Sequence, residues 1–353
     1  MRTRGTGSNP HNRFHSRRIE AVEDDGSYPA EDTCPDSVAT SVDEEQARSI
    51  ISYNHSPDVP FDRSINPYRG CEHGCVYCFA RPTHAYWDLS PGLDFETRLV
   101  AKPNAARRLR ETLDNPRYTP APIALGVNTD AYQPIEKHRR ITRKLLEVLW
   151  EYRHPVSIIT KGSLILRDLD ILEKMAEAGL CSVRVSLTTL DNDLKRSLEP
   201  RAAAPATRLK VIRTLREHGI PTGILVAPVI PFVNDQEMER ILERAHEAGA
   251  QRASWVLLRL PLEVEPLFEQ WLAENLPERA SHVMARIRDL RGGKAYSSEW
   301  GRRMSGQGPY ASLLRQRFDA RCRRVGLNVH ETEPLRCDLF RRPSGEQMDL
   351  LSP

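Results

Sequence analysis

Three cysteines within eight residues, Cys71, Cys75 and Cys78, constrain this chain more than any other feature. They stand in the run Arg69-Gly-Cys-Glu-His-Gly-Cys-Val-Tyr-Cys-Phe-Ala-Arg81, spaced C-x3-C-x2-C, with an aromatic residue on each side of the last. Iron–sulfur clusters are held by cysteine thiolates, and a cubane ordinarily takes four. Three ligands from one short loop leave one iron without a protein ligand. An open coordination position is what separates a metal that does chemistry from one that staples a fold. Two other readings use the same residues: a structural zinc site with His73 or His84 as fourth ligand, and three unrelated core cysteines. The loop is too rich in glycine and polar residues for the second. Asn66-Pro67-Tyr68-Arg69-Gly70 before it reads as an extended segment breaking into a turn. The cluster is the reading that the loop favours.

At 353 residues the chain has room for one large α/β domain with appendages. No apolar run approaches the roughly 18 residues that cross a membrane, and no apolar signal region opens the chain, so a cytoplasmic protein is expected. Seven cysteines, three of them clustered, fit metal ligation in a reducing compartment better than a disulfide framework. The net charge of +3 is too small to imply a polyanionic partner, but its distribution is uneven. Residues 1–18 carry five arginines and no acid, whereas residues 19–46 carry ten acids and no Lys or Arg. Both stretches are poor in large apolar residues, so a disordered charged tail is expected over 1–45, with Cys34 a free thiol inside it.

From residue 64 short apolar strands alternate with amphipathic helices. Strands are expected at 64–68, 122–128, 156–160, 182–187, 222–229 and 254–258, and helices at 104–113, 136–151, 168–178, 207–218 and 235–248. Asn234-Asp-Gln-Glu237 has capping-box spacing, and Gly179, Gly219 and Gly249 stand where helices should stop. Repeating βα units demand a parallel sheet, so the fold class is α/β: a partial (βα)6 parallel barrel over 46–260. A mainly helical C-terminal extension, 261–353, follows it and is the expected source of substrate specificity. Ligands in such sheets bind beyond the carboxyl ends of the strands, which is where the cysteine loop falls. The other strand ends carry Asn128-Thr129-Asp130, Thr160-Lys161-Gly162, Ser186 and Ala227.

The cysteine motif resembles the signature of the radical S-adenosylmethionine superfamily. Cys-Val-Tyr-Cys-Phe, Ile-Thr-Lys-Gly, Val-Ser-Leu, Leu-Glu-Pro-Arg201 and Leu-Val-Ala-Pro-Val-Ile together resemble its spore photoproduct lyase branch over about residues 64–260. The resemblance implies a [4Fe-4S] cluster on Cys71, Cys75 and Cys78, with S-adenosylmethionine chelated at the open iron. It also implies reductive cleavage of that sulfonium to methionine and a 5′-deoxyadenosyl radical that abstracts hydrogen from a substrate. Tyr77, Phe79, Lys161, Ser186 and Ala227 match positions that hold the cofactor. Among these, Lys161 suits its carboxylate, Ser186 a ribose hydroxyl, and Tyr77 or Phe79 the adenine. Thr129 and Asp130 match a Thr-Asp pair near cofactor and substrate. The dimer-repairing lyases carry a hydrogen-donating cysteine two residues before that pair, and here the position is Val127, which argues against dimer repair. A one-electron donor such as flavodoxin or ferredoxin is the implied partner. Repair of a thymine photoproduct, or a non-catalytic iron–sulfur or zinc protein, are the alternatives.

Three features of the C-terminal region complete the reading. An apolar stripe, Tyr310, Leu314, Phe318, Cys322 and Val325, marks a helix over 309–325 and places Cys322 in the core. Cys337, in an irregular segment, reads as structural, with a hydrogen-donor role as the alternative. His73 reads as solvent-exposed in preference to hydrogen-bonding a cluster sulfide. Seven arginines and one acid between residues 300 and 324 could mark a nucleic-acid footprint, though a solvated helix face is favoured. Gly306-Gln307-Gly308-Pro309 before the helix is a weak match to an anion-binding turn.

Overall fold

The computed structural model of the chain describes residues 4–14, 38–329 and 334–343. Six strands form a parallel sheet: β3 (Arg63–Ile65), β6 (Ile123–Leu125), β7 (Val156–Thr160), β8 (Cys181–Ser186), β9 (Thr222–Val229) and β10 (Arg252–Leu257). They lie side by side in chain order, and the short β2 (Ile51–Tyr53) adds antiparallel to the outer edge of β3. A second sheet, which no sequence pattern announced, joins β1 (Ser41–Glu44), β5 (Arg98–Ala101) and β4 (Tyr68–Arg69).

Most crossovers are helical. They are α1 (Asp94–Thr97) and α2 (Ala105–Asp114), α3 (Glu136–Arg139) and α4 (Ile141–Glu151), α5 (Leu169–Glu177), α6 (Asn192–Leu198) and α7 (Pro205–Glu217), and α8 (Met238–Glu247). Three more helices follow β10: α9 (Val264–Asn275), α10 (Pro277–Asp289) and α11 (Gly308–Val325). Val156, Ile158, Val183 and Ile224 of the strands pack with Leu145, Leu149, Leu172, Met175, Leu215 and Ile241 of the helices in one fully buried core. Each such side chain contributes about 1.5–3 kcal/mol by leaving water. The strands at 156–160 and 222–229 and the six-unit parallel order emerge as expected.

Four expectations change. The strand expected at 64–68 divides into β3 and β4, because Asn66-Pro67 breaks the ladder and the Pro67 carbonyl turns to the Lys102 amide at 3.1 Å. The helix expected at 136–151 is two helices, with Arg140 between them at φ 53°. The buried Glu136 carboxylate explains the break: it accepts the Ile141 and Thr142 amides at 2.9 and 3.0 Å and so caps α4. No capping box forms at Asn234. Its amide oxygen accepts from Ile230 N (2.6 Å) and its NH2 donates to Thr188 O and Pro228 O, fastening two strand ends instead. Finally, structure occupies parts of the segment read as a tail: β1 pairs with β5, and residues 4–14 lie against the cysteine loop. Residues 15–37, including Cys34, lie outside the described residues.

Candidate cofactor site

The cysteine loop leaves β4 at Gly70, whose φ of 73° and contacts at 2.7–2.8 Å from a would-be Cβ to Leu99 and the Phe95 carbonyl admit no side chain. Cys71 N then donates to Phe95 O at 2.9 Å, and tight turns follow, with Gly74 N bonding Cys71 O at 3.4 Å and Cys78 N bonding Cys75 O at 3.2 Å. Arg81, 0% exposed, braces the loop from beneath: its Nε donates to Cys75 O at 2.9 Å and its Nη1 to Pro91 O and Gly92 O. Its charge meets the equally buried Glu96 at 2.5 Å.

Residues 4–14 close over this pair as a strap. Gly5 N, Thr6 N and the Thr6 hydroxyl all donate to the Glu96 carboxylate at 2.8–3.1 Å, and Arg4 donates to the Glu96 carbonyl at 2.8 Å. Farther along, Asn12 donates to Ala85 O at 3.0 Å, and Arg13 pairs with Glu263 at 2.7 Å.

Cys71 and Cys75 are buried and Cys78 is half-buried. Burial pushes the Cys71 thiol well up from its ordinary value and the Cys75 thiol to about 12. Thiols so placed become thiolates only with a strong cationic partner, which iron in a cluster is. The remaining described cysteines do not complete the set: Cys181 opens β8 at the opposite end of the sheet, Cys322 sits in α11 against the core, and Cys337 lies beyond it. Both histidines weighed as zinc ligands engage ring nitrogens elsewhere. His84 Nε2 bonds Arg98 O at 2.9 Å, and His73 Nδ1 lies 3.3 Å from Asp130. His73 is buried, not exposed as expected, because Asp130 draws it under the loop. Among the described residues no three His, Cys, Asp or Glu side chains converge as a single-ion site. The donor set fits a cluster with one open iron.

The strand ends divide into two groups. Thr129 and Asp130, after β6, fasten the loop to the sheet. The Thr129 hydroxyl donates to Gly70 O at 2.9 Å. Asp130 accepts Tyr132 N, the Thr160 hydroxyl and Lys161 N at 2.7–2.8 Å, besides facing His73. Burial opposes the Asp130 charge, but His73 and these donors win and hold its carboxyl down to about 2.

The second group surrounds Glu199, after α6. Its carboxylate accepts the hydroxyls of Tyr77 and Thr188 and a buried ion pair from Arg208 of α7. Burial opposes this charge too, yet Arg208 and Lys161 hold the carboxyl down to about 2. Arg208 also donates to Ser186 O at 3.0 Å, Thr188 reaches Ala227 O at 3.1 Å, and Lys161 Nζ stands 5.9 Å from the Tyr77 ring centre. Tyr77 and Lys161 thus face one carboxylate, and the Ser186 and Ala227 carbonyls are joined to it through Arg208 and Thr188. Phe79 lies apart on the rim, beneath Arg259 at 4.6 Å. Arg201 joins Glu72 of the loop at 3.0 Å.

Sequence reasoning missed Arg208, Thr188 and Gln133. Gln133 is fully buried, accepts Glu72 N at 2.8 Å and donates to Thr129 at 2.8 Å. The Leu-Glu-Pro-Arg201 motif pointed at Glu199, but nothing in the α7 pattern singles out Arg208 from its neighbours.

The comparisons agree with this architecture. The Radical SAM superfamily profile matches residues 65–245, from β3 to the end of α8. An uncharacterized protein of Mycobacterium tuberculosis is 38% identical over 234 residues, 66% of this chain and 68% of that protein. An uncharacterized protein of Methanocaldococcus jannaschii is 32% identical over 216 residues, 61% of this chain and 76% of that one. Solved structures of spore photoproduct lyase share the fold with TM-scores of 0.57 and 0.55 at 15% and 16% identity, covering 81% of this chain and 80% of theirs. The second holds a dinucleoside spore photoproduct. The chain belongs to the radical SAM superfamily.

Proposed function

We propose that the chain is a radical S-adenosylmethionine enzyme that holds a [4Fe-4S] cluster on Cys71, Cys75 and Cys78 and acts on a substrate other than a thymine photoproduct. The observation that carries this reading is the placement of three thiols, with no fourth cysteine beside them among the described residues, on a hydrogen-bonded loop at the carboxyl end of the six parallel strands. When bound, the cluster and S-adenosylmethionine supply one-electron cleavage of the sulfonium, as a source of 5′-deoxyadenosyl radical that takes hydrogen from the substrate. The protein supplies position and exclusion of water. Lys161 brings a cation for the cofactor's carboxylate, Ser186 a hydroxyl for its ribose, and Ala227 room beside a flat base. Tyr77 or Phe79 offers aromatic surface to the adenine, with the Tyr77 hydroxyl held by Glu199 and Thr188. Thr129 and Asp130 keep the loop in register with β6 and β7. Reduction calls for a one-electron donor such as flavodoxin or ferredoxin in a reducing compartment, the cytoplasm.

Two observations separate this reading from dimer repair. By the resemblance, Val127 stands where the dimer-repairing lyases carry their hydrogen-donating cysteine. Arg317 and Arg321, in the arginine-rich stretch, pair with Glu239 and Glu243 of α8, so they bind two helices together and are not offered to a polyanion. The test is anaerobic reconstitution with iron and sulfide, addition of dithionite and S-adenosylmethionine, and mass detection of 5′-deoxyadenosine. Production that vanishes in the Cys71/Cys75/Cys78→Ala triple variant supports the reading. Zinc in place of about four irons per chain sinks it. Turnover of a spore photoproduct dinucleoside would restore the repair alternative.

A further inference from the structure

Beyond the carboxyl end of β10 two arginines stand together without a counterion. Arg259 rests its guanidinium 4.6 Å above the Phe79 ring, one residue from Cys78. Its Nε is buried with no hydrogen-bond partner, and its Nη1 meets only the soft sulfur of Met304 at 3.8 Å. Arg291, at the end of α10, is 4% exposed and donates to three backbone carbonyls, Leu258, Arg302 and Arg303, at 2.7–3.0 Å. Its Nε too lacks a partner. Among the described residues no carboxylate pairs with either. Burial, reinforced by the nearby Arg259 charge, pulls the Arg291 guanidinium down to about 10. Two other buried arginines are matched with acids, Arg81 with Glu96 and Arg208 with Glu199, as desolvated charges require. Here the match is missing at the mouth of the site.

Arg291 also lines a cleft of about 400 Å³ whose wall carries Lys294, Tyr296, Ser297, Ser298 and Arg302. Its single acid, Glu299, is engaged by Arg302 at 3.0 Å. The cleft is therefore cationic, furnished with hydroxyls, and of the size of small-molecule sites.

We propose that Arg259, Arg291 and this cleft bind the phosphate of a small phosphorylated substrate, anchoring it beside the cysteine loop. Guanidinium groups present paired donors that match phosphate oxygens, and neither arginine has a carboxylate to compete for them. The placement rests on the radical-enzyme reading for its purpose, but anion binding itself does not. Phosphate bound here lies within reach of the Phe79 rim, and the rest of the substrate extends toward the strand ends.

The experiment titrates inorganic phosphate into the reconstituted protein and follows the melting temperature, against chloride at matched ionic strength. Saturable stabilisation by phosphate is expected, with the midpoint raised about tenfold in Arg259→Gln, the equivalent of one charge-assisted hydrogen bond. Arg259→Lys should recover part of the loss, and Lys294→Gln on the exposed cleft wall should weaken binding without a buried change. Equal stabilisation by chloride, or unaltered midpoints in the glutamine variants, overturns the proposal. Two competition arms identify the source of the phosphate. Displacement by adenosine monophosphate supports a small substrate, whereas displacement by a ten-nucleotide single strand at lower concentration overturns that assignment. Loss of the phosphate effect on adding S-adenosylmethionine would assign the arginines to the cofactor and overturn it as well. Because the readout is thermal, it stands whether or not 5′-deoxyadenosine is made.

Discussion

Each of the three loop cysteines is tethered through its backbone, and the Cys75 carbonyl accepts both Cys78 N and the Arg81 guanidinium. Cys75→Ala keeps those backbone bonds and removes only the sulfur. We expect it to abolish the cubane and all cofactor cleavage, with little change in melting temperature relative to the cluster-free wild type. A full cluster signal by electron paramagnetic resonance in this variant would contradict the assignment. Away from the site, His154 tests the sequence-to-packing link. It is fully buried between the Tyr118 hydroxyl (2.8 Å) and the Pro155 carbonyl (3.0 Å), and burial depresses it from 6.5 to about 4. A depressed histidine contributes stability that is full above its unfolded value near 6.5 and is lost as pH falls toward 4. The total is about 3 kcal/mol at one pH unit per 1.36 kcal/mol. Denaturant midpoints measured from pH 6.5 to 5, above most carboxylate titration, should fall more steeply for the wild type than for His154→Gln. Parallel slopes would refute this. The cysteines were legible because their spacing is local. Arg208 and Gln133 were not, since their partners Glu199 and Thr129 are chosen by how loops stack and not by pattern.

Among the elements, the strap of residues 4–14 departs most from the sequence reading. Its composition, arginine-rich and nearly free of large apolar groups, argues for a dispensable tail. Burial instead comes through polar bonds to Glu96, a buried carboxylate that needs donors and finds them in the Gly5 and Thr6 amides. Glycine matters at both faces, because Cβ atoms at Gly5 and Gly74 would strike opposing backbone or the Glu96 carboxylate at 1.7–2.6 Å. Deleting residues 1–14 should lower the melting temperature by several degrees, at about 2–4 °C per kcal/mol, and speed bleaching of the cluster in air. Unchanged melting and bleaching would show the strap to be ornamental. Helix α11 makes the opposite point. Its apolar stripe of Leu314, Phe318 and Cys322 packs as the periodicity expects, while two of its arginines meet acids of α8 that periodicity cannot assign.

At the scale of the whole molecule, the helices after β10 are not a detachable extension. Phe268, Trp271 and Leu272 of α9 and Val283 and Ile287 of α10 form a second core with Cys75, Val76 and Tyr77, so the cysteine loop is packed from the C-terminal side. The Trp271 indole adds a hydrogen bond to Ser197 O at 3.1 Å. A chain ended after Leu260 should therefore lose cooperative unfolding and bind the dye 8-anilinonaphthalene-1-sulfonate, even though all six parallel strands remain. A sharp transition in that truncation would show the sheet to be self-sufficient. By itself the sequence determined the cysteine motif, the α/β class, the parallel strand order and most helix ends, because these follow from short-range spacing, periodicity and glycine stops. Tertiary structure alone decided which acid neutralises which buried arginine, where residues 4–14 dock, how α9 and α10 close on the loop, and that Arg259 and Arg291 stand unmatched at its rim. Those outcomes depend on which groups distant in the chain share a desolvated space, where an unpaired charge costs several kcal/mol, and no local pattern encodes that.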